Sequence, residues 1–431
     1  MTRLWNETVR MPEFEKLKGD RETDVLIIGG GLAGMLCAHM LKERGAEYIL
    51  AEANVIGGGT SGGTTAVLTA QHGNIYTKIT KKYGKDAAKC YMEANLQAVK
   101  KYRELAGKFD FDFCDRDSYI YSPDDRRALK LEAAVVRELG FPAEYTESTE
   151  LPMKTAGAVR FPKMAQFNPL KLIAALAEDA TIYEHTRITR VEDNKAYFED
   201  GVIKAGKIIV ATHFPIINTR GMYPIKLYQK RSFVLALENA PEFDGTYADI
   251  SDRGIYIRNY GGLTIVGGGD CRTATENDGF QIVRQFTEEH FPEAREKYAW
   301  AAQDCMSLDD IPYIGYYSRS LDDVFVASGF NEWGMSSSMA AASILCDKIE
   351  GRQNELEWLF APDRGIFTRQ AAVNAAEAIV NLLSPGLKRC SHLGCALRKN
   401  EEENTWDCPC HGSRFDMEGN IIENPATRQL R

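Results

Sequence analysis

The sequence predicts a mixed α/β protein with a small, separate tail, and three observations carry that reading. A short apolar run, Val25 to Ile28, leads into a glycine-rich turn, a helical pattern closed by Gly45, and a second apolar run ending at Glu52. Two further strand-like runs, GKIIVA from Gly206 and VFVASG from Val324, lie far along the chain, the second followed by a turn and a helix. Four cysteines and two histidines crowd between Cys390 and His411 in an otherwise polar segment.

Each element of the N-terminal unit has a physical task. A short continuous apolar run suits a strand buried on both faces of a parallel sheet. Gly29, Gly31 and Gly34 fit G-x-G-x-x-G. The first permits a tight turn, the second lets backbone approach a pyrophosphate, and the third lets helix pack on strand. The helix N-terminus then faces the phosphates, and Glu52 is placed to accept ribose hydroxyls. With strand, helix, second strand and acid in order, the unit reads as a dinucleotide site. The next stretch, GGGTSGGTTAVLTAQHG, is a second glycine-rich loop, able to bring Thr60, Ser61, Thr64 and Thr65 to a long cofactor. The loop, strand, turn and helix from Asp309 place Gly315, Gly329, Trp333, Gly334 and Met335 near a helix N-terminus, which favours an electron-rich group.

Composition bounds the rest. A chain of 431 residues fits two or three domains, and 44% hydrophobic residues supply an ordinary core. A net charge of −9 argues against nucleic acid or an anionic membrane as partner. No apolar run approaches the roughly 18 residues of a spanning helix, and the N-terminus is too polar for a secretory signal. The expected setting is cytoplasmic. Six cysteines (Cys37, Cys90, Cys114, Cys271, Cys305 and Cys346) are scattered singly and read as reduced, mostly buried thiols.

As a set, VLIIGGGLAG, Glu52, GGTSGGTTA, IIVATHFP and IPYIG…VFVASGFNEWGM resemble the D-amino-acid-oxidase-like FAD oxidoreductases, the glycine and sarcosine oxidase type, over about residues 20 to 350. That resemblance implies a FAD-binding Rossmann-like lobe woven from discontinuous segments, with a mostly antiparallel substrate lobe inserted. It also implies hydride transfer to the flavin from a carbon bearing an amine or hydroxyl. The expected partition is an N-terminal extension over 1–23, the FAD lobe over 24–90, 157–225 and 300–351, and the substrate lobe over 91–156 and 226–299. In relatives an arginine or tyrosine near the RGIYIRNYGGLTIVGGGD hairpin (Arg253 to Asp270) meets a substrate carboxylate. Arg258 and Tyr256 share a face there by the two-residue period of a strand and are the candidates. The bland alternative for Arg258 is an outward, solvated side chain. His72 is placed either near the flavin or as a structural histidine. Cys305 sits where some sarcosine oxidases tether FAD, though its spacing to the glycine strand is shorter.

Beyond residue 351 a linker, 352–386, carries a helical repeat of Val373, Ala376, Val380 and Leu383, expected to dock on the main body and to stop at Pro385-Gly386. The module at 387–431 reads C-x-H-x15-C-x-x-H, supplying Cys390, His392, Cys408 and His411. Two thiolates on one iron and two imidazoles on the other make a Rieske [2Fe–2S] centre. A zinc site is the alternative, but zinc ligands are usually spaced as C-x2-C or H-x3-H. The segment also resembles the Rieske proteins of cytochrome bc complexes, in which the remaining pair, here Cys395 and Cys410, forms a disulfide between the ligand loops. Two departures stand out. The strands that normally precede the first ligand loop are missing, so another part of the body must supply a base. Phe415 stands where high-potential members have a tyrosine that hydrogen-bonds a cluster sulfur, while Ser413 is kept.

A flavin takes electrons in pairs and a Rieske centre carries one. The combination implies an oxidoreductase acting on a small amine or amino acid and passing electrons to an external acceptor. Two alternatives remain open: a redox-sensing or electron-carrier protein without turnover, and a flavin oxidase with a structural zinc tail.

Overall fold

The computed structural model describes residues 2–252, 254–275, 278–385 and 388–430. Arg253, Gly386 and Leu387, which fall in the expected hairpin, helix stop and module start, lie outside the described residues.

The apolar runs form the centre of one sheet. Arg21–Ile28 pairs in parallel with Tyr48–Ala51 on one side and Gly201–Val210 on the other, and Gly201–Val210 pairs in parallel with Leu321–Ser328. Strands distant in sequence therefore meet side by side, so this lobe is built from discontinuous segments. Helices Leu32–Glu43 and Gly334–Ile349 pack on it, each starting at the end of a central strand. Close approach here requires glycine. A Cβ on Gly34 would lie 2.0 Å from the Gly29 carbonyl oxygen, so the helix sits on the strand only with no side chain between them.

The second sheet has nine strands, antiparallel except where Thr246–Asp249 runs parallel to Cys114–Tyr121. Its order places Arg295–Met306 at one edge, then Tyr228–Glu238, Leu263–Arg272 and Tyr256–Tyr260. The Ala158–Gln166 strand belongs here as well, and Arg295–Met306 runs across residue 300, so the sheet extends past both expected lobe boundaries.

The edge strands have two occupied faces. Lys230 is paired with Arg272 on one side and Asp304 on the other, so these three side chains share a face. Gln229 and Gln303, one residue away, point to the opposite face by the period of two. On that face sits the C-terminal module, a four-stranded antiparallel sheet of Arg398–Asn400, Thr405–Asp407, Arg414–Phe415 and Ile421–Glu423. It packs a small core of its own from Cys390, Cys395, Leu397, Cys408, Cys410, Phe415 and Ala426. The base missing from the module is replaced by the back of the second sheet.

The helix Arg369–Leu383 docks by the face opposite to the expected one. Val373, Val380 and Leu383 are 40%, 57% and 80% exposed, while Ala371, Asn374 and Asn381 are buried. The cause is polar. Asn374 donates to the Ile225 carbonyl and accepts from Arg272, and the Asn381 carbonyl accepts from Ala396 N–H. Burying those asparagines satisfied turns the apolar stripe outward.

Candidate functional site

The glycine loops and the second sheet enclose two adjoining cavities. The first is lined by Gly29, Gly31, Glu52, Thr60, Ser61 and Thr64, and on its other side by Gly329, Gly334 and Met335. The free N-terminus of helix Leu32–Glu43 opens into it, and the Ser61 hydroxyl accepts the Leu32 N–H at 2.9 Å. Glu52 accepts the N–H groups of Gly30 and Asn54, both at 2.7 Å, and burial raises its carboxyl. Arg187, which sequence reasoning missed, lines the same wall. This cradle, with backbone N–H groups, small residues and one acid, fits the adenine-dinucleotide part of a flavin cofactor.

The second cavity, of about 640 Å³, opens beside it and takes in Thr65, His72, Tyr256, Arg258 and Trp333. Thr60, Thr64, Asp304, Glu332 and Met335 line both, which marks the junction. Gly315 lies at neither; it borders a different pocket, against Pro362.

Three candidates have definite partners. Arg258 is neither solvated nor free. It is 1% exposed, and its Nη1 donates to the carbonyls of Thr65 (2.5 Å) and Ala66 (2.8 Å). Through Nη1 it ties the second glycine loop to the second sheet, while its Nη2 is buried in the cavity wall without a partner. His72 is buried, with Nε2–H donating to the Thr69 carbonyl at 2.9 Å and Nδ1 accepting from Tyr91 at 2.7 Å. Burial holds its pKa down to about 3, so the ring is neutral, and it stacks on Trp333 at 4.7 Å in the wall of the second cavity. The Cys305 thiol lies in the floor of the first cavity beside Ser328, pushed up by burial to about 12.

The cysteine–histidine segment forms two loops with one hydrogen-bond pattern. In the first, Cys390 N–H donates to Cys395 O and Gly394 N–H to Cys390 O; in the second, Cys408 N–H donates to Ser413 O and Gly412 N–H to Cys408 O. Cys395 and Cys410 are joined by a disulfide. Although those two sulfurs lie near Cys408 Sγ, they are spent in that bond and offer no thiolate. The free pair, Cys390 and Cys408, share a hydrogen bond, which with the N–H of His392 and the Ser413 hydroxyl brings Cys390 down to about 7 against burial.

The imidazoles complete the set. Their ring centroids lie 4.9 Å apart at 90°, both against Phe214. His392 Nε2–H donates to Asn218 Oδ1 at 2.6 Å and His411 Nε2–H to the Pro224 carbonyl at 3.1 Å. Both Nδ1 atoms are buried without a partner. Burial holds the two rings neutral, near 3 and 4. Acceptors that fix the proton on Nε2 leave the Nδ1 lone pairs free for metal. Two thiols and two such nitrogens fit a Cys2His2 iron–sulfur cluster.

The module is bolted down by residues the sequence did not single out. Gln229 donates to the His411 carbonyl at 2.6 Å and Gln303 to the Gly412 carbonyl at 2.8 Å. Buried Arg231 pairs with Glu403 at 2.5 Å. Asn424 donates to the carbonyls of Thr212 and Phe214. The segment from Ile422 to Thr427 thereby forms part of the first cavity's wall. The alternation in YQKRS and AQDCM was the available signal for which residues face which way. No helix among the described residues is long and apolar enough to cross a membrane.

Comparison with known proteins agrees with both halves. Residues 24–348 match the model of the FAD dependent oxidoreductase family, and residues 386–431 that of the Rieske [2Fe-2S] domain. A putative Rieske 2Fe-2S iron-sulfur protein, YhfW of Bacillus subtilis (strain 168), is 30% identical over 490 residues, covering 99% of this chain and 96% of its own. The cytochrome b6-f complex iron-sulfur subunit 1 of Nostoc sp. is 46% identical over 41 residues, 10% of this chain and 23% of that protein. Glycine oxidase from Geobacillus kaustophilus shares the fold with a TM-score of 0.69 at 18% identity, over 80% of this chain and 99% of that one. The chain is thus an oxidoreductase that belongs to the FAD-dependent oxidoreductase family and carries a C-terminal Rieske [2Fe–2S] domain.

Proposed function

We propose that this protein oxidises an amine or amino acid and passes the electrons singly, through its own Rieske domain, to an external acceptor. The observation that carries the reading is the shared wall: Ile422 to Thr427 of the Rieske domain border the cavity formed by the glycine loops. When bound, FAD accepts a hydride from the carbon bearing nitrogen and the [2Fe–2S] cluster relays one electron at a time. The nitrogen loses a proton, and the resulting imine hydrolyses in water.

The chain's own residues hold these parts. Gly29, Gly31, Gly34 and Glu52 seat the dinucleotide, with Thr60, Ser61 and Thr64 closing over it. Cys390 and Cys408 hold one iron, and His392 and His411 hold the other through Nδ1, with the Cys395–Cys410 disulfide bracing the loops. Asn218 and Pro224 orient the two rings from the FAD lobe, which fixes the domain's docked position as well as the tautomer. An open cavity beside the flavin site favours turnover over a sensor that has lost it. A cytosolic setting accords with the eight cysteines that stand outside the disulfide among the described residues.

The test uses the full chain loaded with FAD and cluster. Anaerobic mixing with a panel of amines and amino acids is expected to bleach the flavin and then to raise the rhombic EPR signal of a reduced Rieske centre, with about two irons and two sulfides per chain. Bleaching with a cluster that stays oxidised overturns the relay. Zinc in place of iron returns the tail to a structural role.

A further inference from the structure

We propose that the external acceptor is a quinone, bound in a third pocket of about 520 Å³ beside the loop that covers the cluster histidines. The inference rests on the relay proposed above and names the molecule that takes its electrons. The loop runs from Phe214 to Lys226. Phe214 packs against both imidazoles, and Asn218 and the Pro224 carbonyl accept their Nε2–H groups. Gly221, Met222 and Lys226 of the same loop line the pocket. Pro224 and Lys226 share one helical turn, Tyr223–Lys226, so the pocket begins within a turn of the group that holds His411.

The walls are apolar and aromatic. Met222, Ile314, Tyr316, Trp358 and Pro362 line the pocket, and Met222, Tyr316 and Trp358 are 48%, 44% and 53% exposed. Lys226 supplies one buried polar anchor at 7% exposure. Its Nζ donates to the Pro362 carbonyl at 2.7 Å and stands over the rings of Tyr223 and Tyr313. Asp363 attracts it through space but is paired with Arg319 at 3.1 Å, so among the described residues the ammonium has no ion-pair partner of its own. A buried cation without a counter-ion is costly and favours an electron-rich ligand. The other charged groups lining the pocket are the pair Lys348–Glu357, at 2.8 Å, and the exposed Asp322.

Electrons that arrive singly need an acceptor able to hold one between two transfers. A quinone holds it as an anion, which a buried ammonium stabilises, and its flat ring suits aromatic walls. Two electrons from the cluster and two protons from water turn its two carbonyls into the two hydroxyls of the quinol, each transfer leaving the cluster oxidised. A small inorganic anion would answer the ammonium alone and leave the aromatic walls uncovered.

The experiment uses the full chain loaded with FAD and cluster, and duroquinone, a benzoquinone whose ring positions are all methylated and so add no thiol. Binding to the oxidised protein is followed by quenching of tryptophan fluorescence and counted by ultrafiltration. One quinone per chain is expected, and Trp358→Ala and Lys226→Met are each expected to weaken it about ten-fold. Trp358 is half exposed, so its variant gives a reading even where Lys226→Met fails to fold. In a second arm the cluster is reduced with dithionite, freed of it by gel filtration and mixed with duroquinone. Its EPR signal is expected to disappear, and to do so more slowly in both variants. Binding that neither variant weakens overturns the proposal, as does a bound quinone that leaves the reduced cluster untouched. Reoxidation through the pocket, with no amine or amino acid ever bleaching the flavin, keeps the quinone site and fails the amine-oxidation reading. Amines that reduce flavin and cluster in a chain that binds no quinone keep the relay and overturn the site.

Discussion

Gln303 and Asp304 are neighbours in one strand and serve opposite faces. The Gln303 carboxamide donates to the Gly412 carbonyl in the second cluster loop at 2.8 Å, while the Asp304 carboxyl lines the cavity beside the flavin site. One strand thickness separates the second cavity from the cluster domain. Gln303→Ala and Gln229→Ala remove the donors to the cluster loop, together with the oxygens that meet Thr273 and His213. Each is expected to leave flavin reduction by substrate within about two-fold and to slow the following reduction of the cluster, since a lost hydrogen bond of about 1 kcal/mol loosens the seat. Stopped-flow absorbance separates the two phases. Equal slowing of both phases would show that Gln303 acts on the substrate side instead.

The Asp304 carboxyl gives a pH dependence with a definite sign. Burial, reinforced by Glu332 and Glu423 and opposed by Lys230, lifts it to about 7; Asp270 faces it from the same wall. A cation bound there needs the carboxylate, so affinity for a cationic amine is expected to rise with pH through about 7 and to level off above. The same shift makes this group's contribution to folding greatest below the ordinary carboxylate range and absent above about 7. Asp304→Asn is expected to flatten the binding profile, which titration at five or six pH values would reveal.

Removing the cluster separates the two half-reactions. Cys408→Ser takes away a thiol in a fully buried position. Iron content is expected to fall towards zero, while flavin reduction by substrate persists and turnover with a one-electron acceptor is lost. Flavin reduction failing together with iron would mean that the loaded domain is needed to complete the first cavity, through the wall from Ile422 to Thr427.

Much of this was legible in the sequence because it depends on local spacing. The G-x-G-x-x-G turn, the second glycine loop and the paired C-x-H and C-P-C-H loops are fixed by backbone sterics and metal geometry within a few residues. What was not legible depends on pairing between distant strands. Nothing near Gln229 shows that it will meet His411, 182 residues on, because that contact follows from which face of Tyr228–Glu238 the domain covers. The solvated alternative for Arg258 failed for the same reason. Its partners, the Thr65 and Ala66 carbonyls, come from a loop far away in sequence. The helix Arg369–Leu383 misled in another way, since periodic apolar residues usually mark the buried face, and here two satisfied asparagines took that place.

Phe415 bears on the cluster's potential. Its ring is fully buried among the domain's cysteines, and the Ser413 hydroxyl is the side-chain donor to Cys390. Donors to sulfur favour the reduced cluster. Phe415→Tyr is expected to raise the midpoint by roughly 40 mV, the equivalent of one hydrogen bond of about 1 kcal/mol for a one-electron couple. Redox titration monitored by EPR measures it. An unchanged or lowered potential would mean that the new hydroxyl points away from the sulfurs.

Gly412 is where backbone geometry, cluster loop and docking face coincide. Its φ is +77°, and a Cβ there would lie 2.8 Å from the Gln229 side chain. Gly412→Ala therefore meets two costs. The left-handed backbone costs an L-residue about 1 kcal/mol, and Gln229 must give up its place, loosening its bond to the His411 carbonyl. Gly394 holds the equivalent place in the first loop with φ +83°, but a Cβ there would meet nothing nearer than Leu382 at 3.9 Å. Gly394→Ala thus carries the backbone cost without the collision. Iron and sulfide content is expected to fall much further in Gly412→Ala than in Gly394→Ala, with FAD content equal in both. Equal losses would place the whole effect in the loop backbone and leave the fit against Gln229 without a part in holding the cluster.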